Sequence, residues 1–343
     1  MILVAYGTRP EIIKFFPLIR QLKRKGLPFK TLFTGQHLDL YEDVKDLIPH
    51  PDYKLNEIHE STSSLAESFC RICSLVEKVI SKEKFRLIII QGDTTTACAI
   101  SQIAFYHQIK IGHIEAGLRT YDLSNPYPEE ANRRVISLLA NYNFAPTKRA
   151  YQNLKKEGAE KVFLTGNTIV DALDSFEYEI KFDNIVLITI HRRENHKKLE
   201  RIFNEINRAA SKYPEINFIF PIHPNPKVQK FKNMLKGDNL NVIEPIEYQK
   251  MLGYISRSMC IISDSGGLQE EAVYFGKRIL VVRKVTERPE TIDAGFGKLA
   301  DLNIVEYMDW GLNRSNPPEI NPFGDGKSSI RIVEIIEKEL FDL

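Results

Sequence analysis

Leu87-Ile88-Ile89-Ile90-Gln91-Gly92-Asp93-Thr94-Thr95-Thr96 is an apolar run that stops at a glycine, a carboxylate and three hydroxyls, with helix-spaced residues beyond. A short continuous apolar run followed by a helical stretch reads as a strand buried on both faces, as in a parallel sheet. The pattern repeats on either side. Candidate strands are Ile2–Tyr6, Phe29–Thr34, Leu87–Gln91, Ile109–Ile114, Tyr142–Ala145 and Val162–Thr165, and a second series runs through Ile185–Ile190, Asn217–Pro221, Val242–Ile243, Cys260–Ser263 and Arg278–Val282. Between them lie amphipathic segments such as Ile12, Phe15, Phe16, Ile19 and Leu22. The expected class is therefore α/β, with two Rossmann-like doubly wound domains facing across a cleft. The boundaries are expected at 1–170, 171–327 and 328–343, the last being a helix that packs back on the N-terminal domain.

Composition narrows the function. The chain has 343 residues, enough for two cores, and a net charge of only +2. No basic footprint argues for nucleic acid or an anionic membrane, and the run from Arg20 to Lys25 reads as a solvated helix face. No apolar run approaches the ~20 residues of a membrane span. The stretch from Met1 to Tyr6 lacks a basic leader and a cleavage site, so the expected compartment is the cytoplasm. Cys70 and Cys73 form a C-x-x-C pair inside a helical pattern and read as two reduced structural thiols.

Charged motifs stand where strands end, the place at which open α/β sheets bind ligands. They include Gly7-Thr8-Arg9-Pro10-Glu11, His113-Ile114-Glu115-Ala116-Gly117-Leu118-Arg119, His191-Arg192-Arg193-Glu194-Asn195 and Asp264-Ser265-Gly266-Gly267. Asp93 reads either as a helix N-cap or as an acid–base group, and Glu129, behind Pro128, either as a helix-dipole partner or as a second one. Glu115 lies between Ile114 and Ala116-Gly117, where a buried carboxylate needs a partner or a task. Grouped carboxylates separate acid and base roles at one pH.

Ser265, Gly266 and Gly267 suit an anion, because glycines admit a ligand to the free N–H groups of a helix start. Glu271, one turn on, suits a ribose diol. Arg192 and Arg288 have the fork that matches diphosphate oxygens, with Arg9 and Lys14 available from the first domain. His223 closes a strand and reads equally as structural or catalytic. Gly324-Asp325-Gly326-Lys327-Ser328-Ser329 resembles a P-loop, but Asn321 stands where its first glycine belongs. No G-x-G-x-x-G follows Ile2–Tyr6 and no metal-ligand spacing occurs, so neither a nicotinamide cofactor nor a metal is expected.

The ordered set of motifs, with Pro128-Glu129-Glu130-Ala131-Asn132-Arg133, Thr286-Glu287-Arg288-Pro289-Glu290 and the Asn321–Gly326 segment, resembles the non-hydrolysing UDP-N-acetylglucosamine 2-epimerases over nearly the whole chain. The resemblance implies a glycosyltransferase-B-type fold, a homodimer and a UDP-sugar substrate. It also implies conversion of UDP-N-acetylglucosamine to UDP-N-acetylmannosamine through a 2-acetamidoglucal, feeding polysaccharide synthesis. Asp93, Glu115, Glu129 and His191 match its catalytic positions. Arg9, Lys14, Arg133, Arg192, His223, Met251, Ser265, Gly266, Gly267, Glu271 and Arg288 are the substrate-binding set.

Two departures stand out. Ile190 occupies the place of a glycine before His191, and Gln36-His37-Leu38 replaces the Gln-His-Arg of the family's regulatory site. Alternatives from other classes are a hydrolysing epimerase that releases N-acetylmannosamine, a B-type glycosyltransferase, and a silent nucleotide-sugar binding module.

Overall fold

The apolar runs pair as two wholly parallel sheets. In the computed structural model the described residues are 1–35, 44–55 and 64–340, so the Gln36-His37-Leu38 departure lies outside them. Two compact units are present, Met1–Ser175 with Phe323–Leu343, and Phe176–Pro322.

In the first unit the strands are β1 (Ile2–Tyr6), β2 (Phe29–Phe33), β3 (Tyr53–Lys54), β4 (Leu87–Gln91), β5 (Lys110–Ile114), β6 (Tyr142–Ala145) and β7 (Val162–Leu164). Their order is β3-β2-β1-β4-β5-β6-β7. Its helices are α1 (Arg9–Arg24), α2 (Leu65–Ile80), α3 (Thr95–Tyr106), α4 (Glu129–Leu139), α5 (Lys148–Lys156) and α6 (Thr168–Leu173). The second unit contains β8 (Ile185–Thr189), α7 (Leu199–Lys212), β9 (Asn217–Pro221), α8 (Pro226–Gln229), β10 (Leu240–Ile243) and α9 (Tyr248–Arg257). It continues with β11 (Cys260–Ser263), α10 (Gly267–Tyr274), β12 (Arg278–Val281), α11 (Pro289–Asp293), β13 (Gly297–Leu299) and α12 (Ile304–Gly311), in the order β10-β9-β8-β11-β12-β13. The α/β class and doubly wound pattern expected from the sequence are therefore present.

Each sheet reverses its direction of growth once, between β1 and β4 and between β8 and β11. Loops leaving such a pair part toward opposite faces, opening a crevice at the carboxyl ends. Those loops are Gly7-Thr8, Gly92-Asp93, Ile190-His191 and Asp264-Ser265, so the sequence motifs fall at the two switch points.

The strands are sealed on both faces. Ile2, Leu3, Val4 and Tyr6 are fully buried, as are Val186, Leu187 and Ile188. The second core packs α7 (Ile202, Phe203, Ile206) on Phe218 and Phe220. β3 and β13 escape sequence reading because two or three mixed residues have no usable period; pairing with β2 and β12 defines them.

The last helix, α13 (Ser328–Leu340), belongs to the first unit and packs on α1 and α6. Asp171 accepts bonds from Ser328 N (3.1 Å), Ser329 N (2.7 Å) and Ser329 Oγ (2.5 Å), and Asn167 N donates to Phe323 O at 2.6 Å. A carboxylate from within the protein thus occupies the helix start that the P-loop-like sequence suggested for phosphate. Cys70 and Cys73 are free thiols on α2, and burial raises the Cys73 pKa, the opposite of an activated thiol. No helix among the described residues is long and apolar enough to cross a membrane.

His113 has no exposure and bonds Gly92 O through Nε2 at 2.8 Å, tying β5 to the loop that carries Asp93. Burial pushes its pKa down to about 4. Since the unfolded chain protonates near the ordinary 6.5, it binds the proton first as pH falls. About 3 kcal/mol of stability present above pH 6.5 should be lost by pH 4. Urea midpoints across that range should fall more steeply for the wild type than for His113→Gln; parallel curves would refute this. Asp171→Ala should lower unfolding stability by about 2–4 kcal/mol in the same assay, because helix-start N–H groups lose their acceptor.

Candidate active site

In the first unit, Glu11 organises the switch point. Its Oε2 accepts from Gly7 N (2.8 Å), Thr8 N (2.7 Å) and Thr8 Oγ1 (2.9 Å), and its Oε1 from Thr94 Oγ1 (2.8 Å). One buried carboxylate therefore holds the loops after β1 and β4 together. Burial raises its pKa, and these bonds pull the other way.

Asp93 follows β4 and is partly exposed. Its Oδ2 accepts from Arg133 Nε at 3.1 Å and from Arg133 Nη2, while Asn132 Nδ2 donates to its carbonyl at 3.0 Å. Arg133 Nη1 reaches Glu130 Oε2 at 3.0 Å, and the buried Glu130 also accepts from Thr120 N (3.0 Å) and Tyr121 N (3.1 Å). Arg133, expected as a substrate ligand, is thus a partner of two carboxylates.

Glu115 follows β5 and is only 7% exposed. Lys14 Nζ, Gln91 Nε2 (2.8 Å) and Asn167 Nδ2 (3.5 Å) all donate to its Oε2. Lys14 is accordingly the salt-bridge partner of Glu115 in this structure. Glu115 has φ +62°, a left-handed backbone that residues with side chains adopt uncommonly. Gly117 follows at φ +91°, where an added Cβ would run into the Ala150 carbonyl. Glu129 opens α4, half-buried, and Arg9 opens α1, also half-buried.

The second unit repeats the device. Asp264, with no exposure, accepts from His191 N (3.0 Å), Arg192 N (2.9 Å) and Asn195 Nδ2 (3.0 Å). Asn195 also donates to Val282 O at 2.9 Å, so three loops meet there. His191 Nδ1 lies 3.3 Å from Asp264 Oδ1, and its ring stacks on His223 with centroids 5.2 Å apart. The structure thus places His191 and His223 ring against ring, with Arg192 next in the chain and its amide on Asp264.

Arg288 is buried and held by Glu270 (2.6 Å) and Glu287 (2.5 Å). Glu287 also bonds Arg283 at 2.8 Å, and Arg283 bonds Glu194 at 2.6 Å. An added Cβ on Gly266 would lie 2.5 Å from Arg288 Nη1, so that guanidinium is one reason position 266 is glycine. Gly267 begins α10 with open space around its Cβ direction, and Ser265 N donates to Ser263 Oγ at 2.9 Å. Glu271 accepts from Tyr248 OH at 2.8 Å, and Met251 is half-buried on α9.

Sequence reading did not single out Glu11, Gln91, His113, Glu130, Arg283 or Tyr248. Glu130 and Arg133 stand three apart on one helix, a spacing that marks a pair. Glu11 likewise completes a Thr8-x-x-Glu11 capping box at the start of α1, and Arg283 stands four residues before its partner Glu287. Gln91, His113 and Tyr248 bond to residues 21 to 24 positions away, which no local pattern reveals. Among the described residues no group of three His, Cys, Asp or Glu side chains is placed to hold a metal ion.

The arrangement offers proton transfer from carboxylates in the first unit and anion recognition in the second. A family model described as UDP-N-acetylglucosamine 2-epimerase matches residues 20–337. The UDP-N-acetylglucosamine 2-epimerase of Campylobacter jejuni is 38% identical over 98% of this chain and 97% of its own. That of Neisseria meningitidis serogroup A is 39% identical, covering 98% and 99%. A crystal structure of the Neisseria meningitidis UDP-GlcNAc 2-epimerase bound to UDP-GlcNAc superposes with a TM-score of 0.90 at 38% identity, covering 98% of this chain and 99% of that one. Acinetobacter baumannii MurG, at 13% identity and a TM-score of 0.54 with 98% and 99% covered, shares the fold alone. With motifs, topology and near full-length similarity in agreement, the chain belongs to the UDP-N-acetylglucosamine 2-epimerase family.

Proposed function

We propose that this protein epimerises UDP-N-acetylglucosamine at C2 to UDP-N-acetylmannosamine without net hydrolysis, by eliminating and re-adding UDP. The observation that carries the reading is the buried Glu115, gripped by Lys14 and Gln91 one strand from the Arg133-paired Asp93. Two carboxylates in different settings suit the removal of a proton on one face of a sugar ring and its return on the other. The C2 proton is too weakly acidic for simple exchange.

A carboxylate therefore takes it as the C1–O bond to UDP breaks. The C–H electron pair becomes the C1=C2 double bond of 2-acetamidoglucal, and the C1–O pair leaves with UDP. The N–H groups at the start of α10, the Ser265 hydroxyl and arginine donors stabilise the departing diphosphate. Reprotonation of C2 on the opposite face and attack of the UDP oxygen on C1 complete the reaction. Holding glucal and UDP away from bulk water suppresses hydrolysis. Asp93, Glu115, Glu129 and His191 carry the proton transfers. Arg9, Arg192, Ser265, Gly266, Gly267, Glu271 and Arg288 contact the nucleotide. The Glu115–Arg119 run, through its resemblance to the non-hydrolysing group, supports the non-hydrolysing course. A soluble nucleotide sugar as substrate favours a cytoplasmic protein.

A homodimer is part of the same proposal. Phe105 (53%), Tyr106 (74%) and Leu138 (83%) are exposed on the neighbouring helices α3 and α4, in keeping with an apolar surface that a second copy covers. Light scattering should give twice the chain mass, and Leu138→Glu should shift it to the monomer; a monomeric wild type would refute the dimer.

Proton NMR with UDP-N-acetylglucosamine in deuterated water tests the chemistry. Deuterium should enter C2 as UDP-N-acetylmannosamine appears, whereas UDP with free N-acetylmannosamine would establish hydrolysis instead. Asp93→Asn and Glu115→Gln should each reduce turnover by at least 10²-fold while thermal melting shows a folded protein. Near-normal turnover in either would remove that carboxylate from the chemistry.

A further inference from the structure

Glu271 sits four residues beyond Gly267 on α10, on the same helix face and one turn of about 5.4 Å further along. If the diphosphate binds the helix start, the next moiety along a nucleotide is the ribose, whose vicinal hydroxyls are two donors. Glu271 is 7% exposed, and a carboxylate at that depth is stable only when donors satisfy it. Tyr248, itself 6% exposed, supplies one at 2.8 Å through its hydroxyl.

The tyrosine is held independently of that bond. It starts α9, and its ring forms a T-shaped pair with Phe176 at a centroid distance of 5.8 Å and an interplanar angle of 75°. A packed aromatic ring with two torsions places its hydroxyl at little entropic cost. A carboxylate has about four acceptor sites, so a Glu271 oriented by Tyr248 can also accept from a diol in a fixed direction.

We propose that Tyr248 is a positioning residue that sets discrimination for a ribonucleotide over a 2′-deoxyribonucleotide by fixing the Glu271 carboxylate. The inference rests on the placement of UDP in the second unit under the function proposed above. Its logic is that a buried acceptor aimed at a hydroxyl penalises a ligand lacking that hydroxyl. A loosened carboxylate swings to other donors and penalises it less.

Titration calorimetry of the full chain with UDP and with 2′-deoxy-UDP tests this without relying on turnover. The wild type should bind UDP at least tenfold more tightly than 2′-deoxy-UDP. Tyr248→Phe keeps the ring and removes only the hydroxyl. It should weaken UDP binding about tenfold, equivalent to about 1.4 kcal/mol, while changing 2′-deoxy-UDP binding less than twofold. Glu271→Gln should also collapse the ratio, and adding Tyr248→Phe to it should change the ratio no further. Equal weakening of both ligands by Tyr248→Phe would make the tyrosine merely structural and overturn the inference. Equal affinity of the wild type for both ligands would overturn it too, while leaving the epimerase reading intact. Failure of the wild type to bind UDP would overturn that reading and the inference together.

Discussion

The bonds that Glu11 makes to Gly7, Thr8 and Thr94 are the constraint on which the first unit depends. At a topological switch point the chain leaves two adjacent strands in opposite directions, so their loops have no ladder to hold them. Backbone N–H groups there are orphaned and expensive to bury. One carboxylate with two oxygens satisfies several at once and fixes the spacing of Thr8 and Thr94, the N-caps of α1 and α3. Asp93, one residue before Thr94, inherits that position. Asp264 solves the same problem in the second unit, accepting from the amides of His191 and Arg192 while sitting at the end of β11. Two unrelated stretches of sequence arrive at one solution because the topology poses one problem.

A second theme is that buried arginines are held by paired anions. Arg133 is shared by Asp93 and Glu130, Arg288 by Glu270 and Glu287, and Arg283 by Glu194 and Glu287. A buried guanidinium without such partners costs several kcal/mol, and each pairing also restricts its orientation. The forked geometry of arginine suits a group that must remain charged and face a fixed direction. Lys14, a point charge on a flexible stem, is fitted to the single oxygen of Glu115 that also receives Gln91 and Asn167.

Much of the fold was legible because its strands are long apolar runs with polar stops. Leu87–Gln91 announces itself by composition, and so does Cys260–Ser263. The motif residues were legible as types, since a carboxylate between Ile114 and Ala116 invites an explanation. Partnership was not. Nothing local relates Lys14 to Glu115, separated by 101 positions, or Tyr248 to Glu271; the sheet order creates those neighbours. His113 was hidden differently, because in sequence it looks like part of a catalytic motif. Its full burial and its bond to Gly92 O give it a structural task.

The resemblance places a glycine at position 190, and the structure shows how this chain accommodates Ile190 there. A glycine there allows freedom of backbone; a branched side chain needs space. Its side chain is 1% exposed and lies in the second core with Val186, Ile188 and Phe203. The amides that follow it, of His191 and Arg192, are the ones that Asp264 binds. The added bulk therefore points into packing, where burial of an isoleucine side chain contributes roughly 1.5–3 kcal/mol. The polar side of the turn is governed by Asp264. Separation of these two demands, apolar toward the core and hydrogen-bonded at the strand end, lets the residue change while the loop that carries His191 remains anchored.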